Sequence, residues 1–199
     1  MGLLTIIKKQ KLKDKEVRVL MLGLDNSGKS SILNSLLKKS IDDIPPTMGF
    51  NIETLLYRNF TMNIWDIGGQ STLRPFWFNY FEKTDSLVWV IDGTTYKQRL
   101  YEIAEEFLNI LKQDNLIIGC NFLIMINKID LLFGAEDIDK TRRASKLQEV
   151  TDEIIHILKL KEMTNHSWKI IPVSAKTGEN VDTAIDWVVD EIKERLYIL

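Results

Sequence analysis

Short apolar runs alternate along the chain with longer stretches whose apolar residues recur at helical spacing. Residues 17–23, 86–92, 121–127 and 168–174 are near-continuous apolar runs of strand length. Such runs predict parallel strands covered on both faces. Residues 50–57 and 60–66 flank the short Arg58-Asn59 turn and predict a hairpin. Helical patterns occupy 29–38, about 98–113, 142–160 and 181–196. Strand–helix alternation at this spacing predicts a three-layer α/β domain. Its sheet is six-stranded and mostly parallel, with the hairpin adding one antiparallel strand at the edge. The polar stretch 134–143 reads as a loop, and His156 and His166 as surface residues.

Composition narrows the class. A chain of 199 residues suits one domain with a sizeable core. Its net charge of −2 gives no reason to expect a nucleic-acid partner. Charge is uneven, however: residues 1–18 carry +4, leaving −6 for the rest. The one cysteine, Cys120, permits no internal disulfide and sits beside an apolar run, as a small buried hydrophobe would. No run approaches the ~18–20 apolar residues of a membrane span. The first seven residues lack the flanks of a signal peptide. The ending Arg195-Leu196-Tyr197-Ile198-Leu199 holds no prenylation box. A cytoplasmic monomer is expected.

Chemistry enters at Gly23-Leu24-Asp25-Asn26-Ser27-Gly28-Lys29-Ser30, which matches G-x-x-x-x-G-K-[ST] between a strand and a helix. Backbone N–H groups of Asp25, Asn26 and Ser27, with the helix start through Ser31, are predicted to face phosphate. Lys29 is predicted to reach the β- and γ-phosphates, and Ser30 to offer a hydroxyl to Mg²⁺. The loop alone does not separate a GTPase from an ATPase or a small-molecule kinase.

Asn127-Lys128-Ile129-Asp130 ends a predicted strand and resembles the N-K-x-D element of small GTPases. A carboxylate at Asp130 accepts from guanine N1–H and the 2-amino group, donors that adenine does not offer there. Lys128 is expected along the base and Asn127 between the loops. Ser174-Ala175-Lys176 resembles the element that completes the guanine pocket, with the Ala175 N–H toward the base oxygen. Asp66-Ile67-Gly68-Gly69-Gln70 closes another strand. Asp66 is predicted to hold Mg²⁺ through water, Gly69 to bring its N–H to the γ-phosphate, and Gln70 to orient the attacking water. Thr47, in the loop before the hairpin, is the second hydroxyl expected on Mg²⁺. Arg74 lies near Gln70 and reads as lining the second switch. No arginine is clearly placed to act in cis, so slow intrinsic hydrolysis and an activating partner that supplies an arginine are expected.

The segments G-L-D-N-S-G-K-S, P-T-M-G-F-N, N-I-W-D-I-G-G-Q and L-R-P-F-W-F-N-Y-F make the resemblance specific. Over nearly its whole length the chain resembles an Arf-like GTPase of the ADP-ribosylation-factor family, and D-I-G-G-Q follows that family's D-x-G-G-Q, not the D-x-A-G-Q of Ras-like proteins. The opening M-G-L-L-T-I-I-K-K and Thr177–Asn180 look closest to the Arf-like protein 2 branch, the Cin4 type of yeasts, linked to tubulin folding and microtubules. The resemblance implies a P-loop GTPase domain over 16–199, preceded by an amphipathic helix over 1–15 that GTP displaces. Leu3, Leu4, Ile6 and Ile7 supply its apolar face. It also implies GTP and GDP as ligands, Mg²⁺ as cofactor, and effectors that face an aromatic cluster matched by Phe50, Trp65 and Tyr80. Partners implied are a GTPase-activating protein, tubulin-folding cofactors and carriers of lipidated cargo. N-myristoylation usually requires Ser or Thr at position six. Ile6 stands there, so weak or no membrane anchoring is expected, with cytoskeleton association as the alternative to a purely free protein. A membrane-recruited regulator of vesicle traffic or lipidated-cargo release is the second reading. A metabolic P-loop kinase is the third, and it leaves Asn127–Asp130 without a task.

Overall fold

The computed structural model describes residues 15–133 and 139–197. The amphipathic helix expected over 1–15 therefore lies, but for Lys15, outside the described residues. Six strands form one sheet: β1 (Glu16–Leu22), β2 (Phe50–Tyr57), β3 (Phe60–Ile67), β4 (Ser86–Asp92), β5 (Asn121–Asn127) and β6 (Trp168–Pro172). Their order is β2-β3-β1-β4-β5-β6. All neighbours run parallel except β2 and β3, so the antiparallel strand sits at the edge as the sequence predicts.

Every residue of β4 and β5 is buried, which is why both read as near-continuous apolar runs. Helices α1 (Lys29–Leu36) and α4 (Val181–Tyr197) cover one face, packing Ile32, Leu33, Ala184 and Val188 against Val19, Met21 and Met125. Helices α2 (Leu100–Leu111) and α3 (Lys140–Ile157) cover the other, where Phe107, Ile110 and Ile154 meet Trp89, Phe122 and Ile124. Three layers result. Among the described residues, no helix is long and apolar enough to cross a membrane.

Element ends depart from the sequence reading where backbone chemistry intervenes. Helix α3 starts at Lys140, two residues early, so the last part of the expected 134–143 loop is helical. It stops at Ile157 because Lys159 turns left-handed (φ 53°) and a 3-10 turn follows. Strand β6 ends at Pro172, which has no N–H to give a ladder. A 3-10 segment, Arg74–Tyr80, carries Pro75 in its first turn and had no counterpart in the sequence reading. Cys120 is buried, as expected. His156 is exposed, but His166 is half-buried: its Nδ1 lies 2.8 Å from the Cys120 carbonyl and its ring meets Phe122 edge-on.

The β2–β3 hairpin pairs without a slip from Phe50↔Ile67 to Tyr57↔Phe60. Its two turn residues, Arg58 and Asn59, both hold positive φ, the geometry that matches strand twist in a two-residue hairpin. The tip is fastened to α4. The Tyr57 hydroxyl donates to Asp186 Oδ1 at 2.7 Å, and Arg58 pairs with Asp186 at 2.8 Å and Asp190 at 3.2 Å. Burial, then the bond to Asp186, push the Tyr57 hydroxyl up to about 12. Replacing Tyr57 by Phe leaves Asp186 paired with Arg58, so only one hydrogen bond is lost. Urea unfolding of Tyr57→Phe is expected to show a loss of about 1 kcal/mol.

Candidate nucleotide site

The carboxyl ends of β1, β3, β4, β5 and β6 converge on one edge of the sheet, where open α/β sheets hold their ligands. The phosphate loop, Asp66–Gln70, Asn127–Asp130 and Ser174–Lys176 follow four of these ends, and the Thr47 loop reaches the same edge at the start of antiparallel β2. A cavity of about 410 Å³ opens there, lined by Asp25, Asn26, Gly28, Lys29, Ser30 and Ser31 from the first loop, Ile44, Pro45, Pro46 and Thr47 from the second, and Gly69 and Gln70 from the third.

The first loop is shaped for an anion. Gly28 has φ 86°, and a Cβ there would lie 2.2 Å from Asn127 Nδ2. Glycine alone allows both the turn and that approach. Lys29 opens α1 nearly buried, its ammonium donating to the Gly23 and Leu24 carbonyls at 2.9 Å each. Burial lowers the Lys29 pKa to about 8, with Asp66 and Asp25 opposing. A cation so placed gains from a phosphate oxygen what it lost in water. Ser27 is buried, and its Oγ has no partner.

Behind Lys29, three oxygen ligands from separate elements meet. Ser30 Oγ donates to Asp66 Oδ2 at 2.5 Å and lies 2.9 Å from Thr47 Oγ1, which reaches the same carboxylate oxygen at 3.3 Å. Asp66 Oδ1 is buried without a partner. Burial pushes the Asp66 carboxyl up, against the Ser30 hydrogen bond and the Lys29 charge. Two hydroxyls and one under-satisfied carboxylate are hard oxygen donors, and so few of them suit Mg²⁺, which keeps water and phosphate for its other positions. No cluster of three or more His, Cys, Asp or Glu fit for a metal occurs among the described residues, in keeping with so lean a donor set.

Gly69 presses onto the first loop. A Cβ there would meet Gly23 O, Leu24 C and Asp25 N at 2.4–2.6 Å. Its carbonyl accepts from Asp25 N–H at 3.1 Å and from Arg74 Nε at 2.9 Å. Gln70 follows at the cavity wall, half-exposed.

The base-side loops interlock. Asn127 Nδ2 donates to the Ser27 carbonyl at 3.0 Å, and its Oδ1 accepts from Ala175 N–H at 3.1 Å. The Ala175 N–H is thus given to Asn127 here, so a base oxygen would share or replace that bond. Lys128, in a left-handed conformation, spans from the Asn26 carbonyl (2.7 Å) to Asp92 (2.8 Å). Burial would raise the Asp92 carboxyl, but hydrogen bonds from Lys128 and Thr94 outweigh it and hold it below the usual range. Ser174 Oγ donates to Asp130 Oδ1 at 2.6 Å, fixing the carboxylate from behind. Lys176 is exposed and lines a separate hollow with Lys38 and Lys39.

On the outer face, Phe50, Trp65 and Tyr80 cluster with ring centroids 5.5–6.0 Å apart. The Arg18 guanidinium stacks 4.0 Å over Trp65 and donates to the Tyr80 carbonyl. Phe50 is 48% exposed and heads an apolar stripe on β2 that continues through Ile52 and Leu56.

The residues that sequence reasoning missed are Asp92, Arg99, Glu102 and Glu106. Asp92 was accessible in principle, since it ends a buried strand at the ligand edge. Arg99 carries no motif and acts on Asp25, 74 positions away, so only the fold reveals it.

A phosphate loop, a carboxylate with two hydroxyls behind it, a glycine closing from a third strand and an interlocked Asn-Lys-Asp loop together define a P-loop small GTPase. The ADP-ribosylation factor family model matches residues 3–192, and the chain belongs to that family. It is 42% identical to ADP-ribosylation factor-like protein 2 of Dictyostelium discoideum over 199 residues, the whole of both chains. It is 44% identical to the protein of that name from Arabidopsis thaliana over 200 residues, again the whole of both. With ADP-ribosylation factor-like protein alp41 of Schizosaccharomyces pombe it shares 42% over 194 residues, 98% of this chain and 96% of the other. Among solved structures it is similar to the Arl6 BBS3 small GTPase of Trypanosoma brucei with bound GppNp, at TM-score 0.71 and 27% identity, covering 90% of this chain and 98% of that one. Membership carries GTP and GDP as ligands, GTP hydrolysis as the reaction, and activators and effectors as the general classes of partner.

Proposed function

We propose that this chain is a cytosolic GTP-operated switch with slow intrinsic hydrolysis, acting in tubulin folding and microtubule function. The observation that carries the switch is the meeting of Ser30, Thr47 and Asp66 behind Lys29, with Gly69 and Gln70 closing over the same cavity. Thr47 and Gly69 come from two separate loops that a γ-phosphate and its Mg²⁺ would engage together, and the loops already touch where the Gly68 N–H donates to the Gly49 carbonyl at 2.8 Å. Moving such a switch from 1:99 to 99:1 takes about 5.5 kcal/mol of differential binding.

In this mechanism Ser30 and Thr47 would hold Mg²⁺ through their hydroxyls, and Asp66 would do so through water. When bound, the ion would supply positive charge to the phosphate oxygens. Lys29 adds a second charge on the same oxygens, and the Gly69 N–H donates to the γ-phosphate. Gln70 orients the attacking water from the cavity wall. Asp130, fixed by Ser174, reads the guanine N1–H and 2-amino group, while Lys128 lies along the base. Arg74 is engaged by Asp25, Glu102, Glu106 and the Gly69 carbonyl, and its side chain is only 6% exposed. That engagement supports an arginine supplied in trans by an activating protein, a contribution of roughly 10³–10⁵ in rate.

The domain reading is a GTPase domain over 16–199 after an amphipathic helix over 1–15, and the protein acts as a monomer with weak or no membrane anchoring. Effectors face Phe50, Trp65 and Tyr80. The tubulin branch rests on likeness to relatives named Arf-like protein 2. Gln70→Leu tests both halves of the proposal. It is expected to retain GTP, to lose tenfold or more of partner-stimulated hydrolysis, and to capture tubulin or its folding cofactors in its GTP form. Capture of membrane-traffic partners alone would replace the tubulin reading with the vesicle-traffic one.

A further inference from the structure

Asp25 sits at the second variable position of the phosphate loop, a carboxylate on the wall of a cavity built for a polyanion. An uncompensated negative charge there would oppose a γ-phosphate and leave a diphosphate comparatively untouched. The structure compensates it heavily. Asp25 Oδ1 accepts from Arg99 Nη2 at 2.7 Å and from Arg74 Nη2 at 3.1 Å, and the Asp25 carbonyl accepts from Arg99 Nη1 at 3.1 Å. Both guanidinium groups are fixed from α2. Glu102 takes Arg99 Nε and Arg74 Nη1 at 2.7 Å each, and Glu106 takes Arg74 Nη1 at 3.2 Å. Arg74 Nε then reaches the Gly69 carbonyl, which also accepts the Asp25 N–H. Asp25 and Gly69 are therefore tied together twice, once through the backbone and once through Arg74.

We infer that Arg99, acting with Arg74, is a positioning residue that sets the preference for triphosphate over diphosphate by turning the Asp25 carboxylate away from the γ-phosphate and neutralising it. The inference rests on the nucleotide site proposed above. The Arg99 hydrogen bond also holds the Asp25 carboxyl below the usual carboxylate range, so the group stays ionised and keeps its need for a counter-charge. Arg99 is the half-exposed member of the pair, with its side chain 27% exposed against 6% for Arg74. Losing it leaves Arg74 alone to serve Asp25, two glutamates and the Gly69 carbonyl. Arg74 is too deeply packed for a clean test, whereas Arg99 can be replaced without opening the core.

The test is the affinity of the full chain for fluorescent GDP and for a fluorescent non-hydrolysable GTP analogue, with Mg²⁺, at low and high salt. Arg99→Leu is expected to weaken the analogue about tenfold, equivalent to about 1.4 kcal/mol, and GDP by less than about twofold. The difference shrinks at high salt, because the charges concerned are partly exposed. In the Asp25→Asn background the same Arg99→Leu change is expected to have no more than about a twofold effect, since the charge to be neutralised is gone. Arg99→Lys, which keeps the charge and loses the planar fork, is expected to return the analogue to within about threefold of the unchanged protein. Equal weakening of both nucleotides, a loss undiminished by Asp25→Asn, or no recovery with Arg99→Lys would each overturn the inference. Failure of the unchanged chain to bind either nucleotide would instead overturn the nucleotide reading beneath it.

Discussion

Asp130→Asn is expected to weaken GTP by about 100- to 1,000-fold and to turn the preference toward xanthosine triphosphate. Asp130 Oδ1 is committed to Ser174 Oγ at 2.6 Å, and Ser174 is fully buried, so the carboxylate cannot swing to another partner. An asparagine can keep that bond through its own Oδ1. It then points an NH₂ group where a carboxylate oxygen stood. Guanine presents two donors to that position, and donor faces donor. A hydrogen bond to a charged group contributes about 1.5–3 kcal/mol, so losing two of them covers the stated range even after part of the energy is recovered through water. Xanthine carries an oxygen in place of the 2-amino group and accepts from the new NH₂. Competition among GTP, ATP and xanthosine triphosphate for the fluorescent GDP complex measures all three. An unchanged order of preference would remove Asp130 from the base site. Because Asn127 and Lys128 make their own contacts to Ser27, Asn26 and Asp92, the loop itself is expected to hold its shape.

The backbone of the fold was legible because its signals are local. Residues 50–57, 86–92 and 121–127 coincide with strands β2, β4 and β5 to the residue. Each is bounded by a motif residue or a turn, and β4 and β5 are buried along their whole length, so apolar pattern and structure agree. The hairpin was legible for a related reason, since only two residues separate its strands. The ends of α3 and β6 were not, because they depend on a left-handed Lys159 and on the missing N–H of Pro172 rather than on hydrophobic period. His166 was misread as surface because its partners, the Cys120 carbonyl and Phe122, belong to a strand end more than forty residues away.

The site divides in the same way. Lys29, Ser30, Asp66, Asn127 and Asp130 stand in short motifs at strand ends, which the fold brings to one edge of the sheet. The Phe50–Trp65–Tyr80 cluster was named only through family likeness. The structure adds what no motif holds, the Arg18 guanidinium stacked on Trp65. Similarly, the sequence reads Arg74 only as lining the second switch near Gln70. Its burial among Asp25, Glu102 and Glu106 makes it a strut between the first and third loops. Long-range charge networks of this kind leave no periodic trace in a sequence, since each member alone looks like an ordinary solvated ion.

Gly69→Ala is expected to leave GDP affinity within about twofold while lowering both partner-stimulated hydrolysis and GTP-selective partner binding by about 100-fold. The added methyl would lie 2.4 Å from Gly23 O, 2.5 Å from Leu24 C and 2.6 Å from Asp25 N. All three are backbone atoms of the phosphate loop, so no side chain can turn aside to relieve the clash. The third loop must withdraw, and with it go the Asp25 N–H bond and the Arg74 bond to the Gly69 carbonyl. Gln70, one residue on, is carried away from the cavity. The contacts proposed for a diphosphate, from Lys29, Ser30 and the first loop, do not pass through Gly69, which is why GDP binding should survive. A 100-fold loss corresponds to about 2.7 kcal/mol, half of the differential binding that a full switch requires. Single-turnover hydrolysis with an activating protein, read beside GDP dissociation kinetics, separates the outcomes. Parallel losses in GDP and GTP binding would mean that Gly69 only supports the shape of the phosphate loop. A selective loss in the GTP form places the sensing of the third phosphate at this glycine, where chain meets chain too closely for any side chain to fit.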